Sequence, residues 1–92
     1  MKMTKTYELY IGSNNETGKL ELAKLNEIVI KFYEYATINP NLTGIWKGGN
    51  EKTAMVLVKS SEENLAKFID EIKLELRQEA VAFRETNELK IR

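Results

Sequence analysis

Six consecutive residues, Thr53-Ala54-Met55-Val56-Leu57-Val58, carry no charge in a chain of which 30% is charged. Successive side chains of an extended segment point to opposite sides, so the strand they predict is apolar on both faces. Such a strand belongs in the middle of a sheet, with each side at least partly covered. Ninety-two residues form one domain with one core. A domain of that size buries roughly two-thirds of its unfolded surface and has little left for a deep enclosed site.

The flanking patterns supply the cover. Residues Thr6 to Gly12 alternate, with Tyr7, Leu9 and Ile11 on one side and Glu8 and Tyr10 on the other, which predicts a half-buried strand. The polar stretch from Gly12 to Gly18 predicts a loop. From Leu20 to Ala36 the period lengthens: Leu22, Leu25, Val29, Phe32 and Ala36 fall on one helical stripe, opposite Lys24, Glu27, Lys31 and Glu34. Pro40 disfavours helical geometry at Asn39, so Asn39-Pro40-Asn41 is expected to close the connection. Leu42 to Lys47 and Lys52 to Lys59 then pair as strands across a turn at Gly48-Gly49-Asn50-Glu51.

A capping box at Ser60 and Glu63 opens a second helix, with Leu65, Phe68, Ile69, Ile72 and Leu76 toward the core and Leu74 nearly opposite. Ala80 to Arg84 forms a fourth strand, and Leu89 to Arg92 a possible short fifth. The order βαββαβ, joined by right-handed crossovers, makes an α+β two-layer sandwich: an antiparallel sheet with two helices on one face. Met55/Leu57 and Ala54/Val56/Val58 cannot all lie under the helices, so the other sheet face is open and partly apolar, and an open apolar face usually marks an interface.

Composition removes whole classes of chemistry. The chain has no Cys and no His, so disulfides, thiolate sites and the commonest general base are absent. Its net charge is zero, so no long-range field draws in nucleic acid or an anionic membrane. No apolar run approaches membrane-spanning length, and a cytoplasmic location is the default expectation. Lys59-Ser60 is a weak nucleophile candidate, because Ser60 already has a capping role. The pairs Glu62/Glu63 and Asp70/Glu71 read as a solvated helix face. No ligand spacing supports a metal.

Leu9-Tyr10-Ile11-Gly12 is similar to the first-strand signature of RNA-recognition motifs, with Tyr10 on the open face. The matching strand should add two aromatics, and Lys52-Thr53-Ala54-Met55-Val56-Leu57 has none, so nucleic acid is not the expected partner. The most unusual surface element is the hairpin Gly44 to Thr53, which holds the only Trp and three of the five glycines. Trp46 either stacks on a ligand or fills core or interface. Consecutive glycines let backbone N–H groups approach an anion, or simply shape a turn. Gln78 and Glu79, at the junction before the last strand, either cap backbone groups or face a ligand.

The ordered set Leu9-Tyr10-x-Gly12, Gly44-x-Trp46-x-Gly48-x-x-Glu51-x-Thr53 and Gln78-Glu79-x-Val81 resembles a group of short uncharacterised phage and bacterial domains. That resemblance implies a compact ferredoxin-like fold and a mobile-element origin, and it brings no activity. Trp46-Lys47-Gly48, followed by an apolar strand ending at Lys59-Ser60, is also similar to the CutA pattern of the trimeric PII and CutA-type proteins. PII proteins bind nucleotides between subunits; the short connection between strands two and three here leaves no room for their long signalling loop.

The resulting expectation is a non-enzymatic homo-oligomeric binding module, dimer or trimer, without cofactor or metal. It would hold a small anionic or nucleotide-like ligand near a subunit boundary. The candidate ligand-binding residues are Tyr10, Trp46, Lys47, Gly48, Gly49, Glu51, Gln78 and Glu79. The alternative is a protein–protein interaction module, such as a phage inhibitor or accessory factor acting on a host protein. An enzyme working through carboxylates and lysines ranks below both.

Overall fold

The structure is a computed structural model in which residues 3–87 are described. The elements are β1 (Lys5–Ile11), α1 (Leu22–Phe32), β2 (Ala36–Trp46), β3 (Gly49–Ser60), α2 (Glu62–Glu75) and β4 (Ala82–Thr86). All strand pairs are antiparallel and the sheet order is β2-β3-β1-β4, the ferredoxin-like arrangement. The expected fifth strand at Leu89 to Arg92 lies outside the described residues. No helix among the described residues is long and apolar enough to cross a membrane.

The two central strands explain the core. Tyr7, Leu9 and Ile11 of β1 and Ala54, Val56 and Val58 of β3 are buried on the same side, where the helices add Leu25, Ile28 and Val29 from α1 and Leu65, Phe68 and Ile72 from α2. The Phe68 ring meets those of Phe32 and Tyr33 edge-on, at centroid distances of 5.6 and 5.1 Å. Fully burying each such side chain contributes about 1.5–3 kcal/mol. On the other face, Met55 and Leu57 are half-buried, flanked by Tyr10 and Glu8. The central strand is thus covered fully on one side and partly on the other.

Several expected boundaries move. The first helix ends at Phe32, because Tyr33 turns extended while its N–H still bonds the Val29 carbonyl. Ala36 therefore belongs to β2, not to the helix stripe. Pro40 does not delimit the strand but sits inside it. β2 is an edge strand, and a one-residue bulge between Asn39 and Leu42 absorbs the proline, whose missing N–H costs no ladder bond there. The hairpin turn is tighter than expected. Lys47 and Gly48, with φ of 51° and 79°, are its two central residues, so Gly49, Asn50 and Glu51 are already strand. Positive φ at both positions defines the I′ geometry that matches strand twist.

The second helix is capped one residue later than expected. Ser61 accepts the N–H of Asn64 at 3.1 Å, while Ser60 stays in β3, accepts a hydrogen bond from Tyr33 Oη and donates to the Ser61 carbonyl. The helix stops at a Schellman motif: Arg77 takes the left-handed conformation (φ 53°) and the Gln78 N–H returns to the Lys73 carbonyl at 3.1 Å. That turn consumes Gln78 to Val81, so the last strand starts at Ala82, not Ala80.

Candidate functional site

β1 ends opposite Ala54, yet the β2–β3 hairpin runs on to its turn at Lys47. From Leu42 to Thr53 the hairpin is a two-stranded ribbon with no third strand beside it. Its outer residues are little covered: Ile45 is 77% and Trp46 45% exposed. The register places Leu42, Gly44 and Trp46 of β2 with Thr53, Glu51 and Gly49 of β3 on one face, the same face as Tyr10 and Met55.

Three polar contacts hold the ribbon to the body. The Glu51 carboxylate reaches across the end of β1 and accepts the Ser13 N–H at 3.3 Å, and Ser13 Oγ donates to the Lys52 carbonyl at 3.0 Å. The carboxylate lies against the Gly12 backbone, where a Cβ on Gly12 would overlap it. Lys47 Nζ forms an ion pair with Glu79 at 3.1 Å, from the turn to the segment before β4. Gly44 has a similar reason for lacking a side chain, since its Cβ would fall on the Thr53 hydroxyl.

Gln78 organises the floor. Its amide donates to the carbonyls of Ser13 (2.7 Å), Gly12 (3.2 Å) and Leu76 (3.2 Å), tying the loop after β1 to the end of α2. The loop itself is stiffened by Asn14. Its side-chain oxygen accepts the Glu16 and Thr17 N–H groups, and its amide donates to Glu21 at 2.6 Å.

Between the ribbon and the Gln78–Ala82 segment lies a cleft of about 550 Å3. Five of the expected site residues line it: Tyr10, Trp46, Glu51, Gln78 and Glu79. Lys47 stands at its mouth, paired to Glu79 and 5.8 Å from the centre of the Trp46 ring. Gly48 and Gly49 do not line it; they form the turn and the first strand position beyond it. Sequence reasoning missed Gly12, Leu42 and Val81 as lining residues. Gly12 and Val81 were visible only as letters of the quoted pattern.

The cleft is apolar along Leu42, Ile45 and Val81 and polar where Glu51, Gln78 and Glu79 converge. Beside it, Glu8 accepts hydrogen bonds from Arg84 Nε at 2.8 Å and from Tyr10 Oη at 3.0 Å. Arg84 first, and Tyr10 second, hold the Glu8 carboxyl below the usual carboxylate range, and the same pairing raises Arg84. This fixes the Tyr10 ring on the open face. Elsewhere, burial pushes the Tyr33 phenol up, opposed by its hydrogen bond to Ser60.

Strand order, helix placement and the cleft define an α+β sandwich of the ferredoxin-like class. Within that class the chain is similar to CutA1 structures. The divalent cation tolerance protein CutA1 of Thermus thermophilus superposes with a TM-score of 0.65 and 14% identity, over 98% of this chain and 88% of that one. CutA1 of Oryza sativa gives 0.62 at 14% identity over 94% and 84%. CutA1 of Ehrlichia chaffeensis, a divalent ion tolerance protein, gives 0.58 at 14% over 98% and 87%. At this identity the likeness is one of fold. It agrees with the CutA-type resemblance in the sequence. No protein-family model and no curated protein sequence matches the chain.

Proposed function

We propose that the protein is a non-enzymatic binding module that works as a homo-oligomer in the cytoplasm, with its ligand held in the cleft under the ribbon. One observation carries the reading: the ribbon outruns β1 while exposing Ile45 and Trp46. A two-stranded ribbon is marginal in water on its own, and its unpaired edges invite a further strand. A second copy laid against it covers both the edge and the apolar tip. It also closes the open side of the cleft, which puts the ligand at a subunit boundary. The CutA-like fold supports the same reading.

The ligand that suits the cleft has a flat ring and hydrogen-bond donors. Tyr10 and Trp46 supply ring faces, Glu51 and Glu79 accept, and Lys47 meets at most one anionic group. Two carboxylates against one ammonium favour a nucleoside or its monophosphate over a polyphosphate. Divalent cations, which figure in the name of the Thermus thermophilus structure, are a second arm of the same test. Among the described residues no three acidic side chains come together to hold one within a subunit.

Sedimentation equilibrium tests the assembly. The expected result is an oligomer at micromolar protein that Trp46→Ala shifts toward monomer while the far-ultraviolet circular dichroism stays unchanged. A strict monomer at high concentration overturns the homo-oligomer. The exposed Ile45 and Trp46 would then favour the second reading, a module for binding an unlike protein, including a host protein if the chain is phage-borne. Adenosine monophosphate titrated against Trp46 fluorescence tests the ligand class. Saturable quenching lost in Glu79→Ala supports it, and no change in emission overturns it.

A further inference from the structure

A second groove, of about 640 Å3, runs between α2 and β4 and shares no residue with the cleft. It exists because, among the described residues, β4 is the last strand of the sheet and pairs with β1 alone. Phe83 lies opposite Leu9 in the ladder, so it faces the helix side, yet half of its surface (51%) stays exposed. Its ring meets that of Tyr7 edge-on at 6.2 Å, and Leu65 and Ile69 complete an apolar floor. The volume falls in the range of small-molecule sites, roughly 300–1,000 Å3.

The rim decides what fits. Glu62 and Asp70 from α2 and Glu85 from β4 surround the floor. One ammonium, on Lys5, lies 3.8 Å from both Glu62 and Glu85. Arg84 also borders the groove, but its guanidinium is held by Glu8 of the open face at 2.8 Å. Asp70 has no ion-pair partner among the described residues. Among the described residues, three carboxylates thus face one local cation, around a solvent-exposed aromatic ring.

We infer that this groove binds small organic ammonium compounds with an apolar body. The body covers Phe83 and Ile69, and the ammonium group sits between the Asp70 carboxylate and the Phe83 ring face, where the ring quadrupole attracts it. Neither the net charge of the chain nor the cleft under the ribbon indicates such a ligand.

Phenethylammonium chloride titrated into the 15N-labelled protein tests this. The expected result is saturable amide shifts confined to residues 62–70 and 83–85. Phenethyl alcohol, which has the body without the charge, should bind on the order of fivefold more weakly, and 3-phenylpropionate should give no saturable shift there. Tetramethylammonium, which has the charge without the body, should also be weaker. Asp70→Asn should weaken phenethylammonium on the order of fivefold. Phe83→Leu, which keeps apolar bulk if Phe83→Ala proves unstable, should weaken it while leaving the spectrum dispersed. The inference is overturned if the carboxylate binds as well as the amine, if Asp70→Asn changes nothing, or if the shifts appear elsewhere or not at all.

Discussion

One hairpin belongs to two different environments. Between Ala36 and Asn39 on β2, and Ala54 and Ser60 on β3, its strands lie in the four-stranded sheet over the helices, and Ala54, Val56 and Val58 are wholly buried. Between Leu42 and Thr53 the same two strands form a ribbon. There Thr53 is the one buried residue, and Glu51, Ser13 and Lys47 with Glu79 make the attachments. Apolar packing fixes the first half; hydrogen bonds and one exposed ion pair fix the second. An exposed pair contributes about 0–1 kcal/mol. The body therefore sets the stability of the molecule, and the ribbon is free to trade its few contacts for those of a partner.

The largest perturbation strikes the body. Phe68→Ala should cost about 3–5 kcal/mol, because the ring is fully buried between Phe32 and Tyr33. Urea unfolding should show one lowered transition; an unchanged midpoint would mean that the helices contribute far less than their burial implies. Gln78→Ala acts at the junction. Its amide serves three carbonyls, so about 1–3 kcal/mol should be lost, with faster hydrogen exchange in residues 12–15. Gly12→Ala separates the two halves most cleanly. The new methyl displaces the Glu51 carboxylate, which is the end of a flexible chain, so the cost should be about 1 kcal/mol or less. Exchange should rise at Gly49 to Lys52 and stay unchanged at Val56 and Val58. Equal increases in both would break the distinction between ribbon and body.

The smallest effect is electrostatic. Glu8 has its folded pKa depressed by Arg84, so the stability it adds is present above the unfolded carboxylate value and is lost as pH falls through the folded one. A carboxyl titration followed by 13C resonance should place Glu8 below an ordinary glutamate, and Arg84→Ala should move it back up. Because both groups are solvent-accessible, the melting temperature should barely change.

Where packing follows period, the sequence was readable. The alternation of Tyr7, Leu9 and Ile11, the stripe of Leu65, Ile69, Ile72 and Leu76 flanked by Phe68, and the uncharged run in β3 all lead to the observed order and core, in which Phe68 is fully buried and Ile69 partly so. The misplaced boundaries fall where two local rules compete. Ala36 fits the helical stripe as well as a strand. Pro40 signals a break except at an edge, and nothing local says that β2 is one. Ser60 and Ser61 are adjacent candidates for a single cap. A left-handed lysine is unusual, so the glycines drew the turn two residues too far along. For the candidate site, residue type marked Trp46, Glu51, Gln78 and Glu79. Their convergence with Tyr10 depends on how far the ribbon outruns β1, a length set by the Lys47-Gly48 turn that the sequence pattern misplaced.

Pro40 has a consequence for behaviour in concentrated solution. β2 is a long sheet edge on a chain with no net charge to keep copies apart, which is a setting for open-ended polymerisation into fibrils. The proline withholds one N–H, and the bulge beside it shifts the register, so an incoming strand cannot form an unbroken ladder from Ala36 to Trp46. Pairing is limited to short stretches on either side. A protein so equipped should assemble into closed particles of a few copies and remain clear on storage.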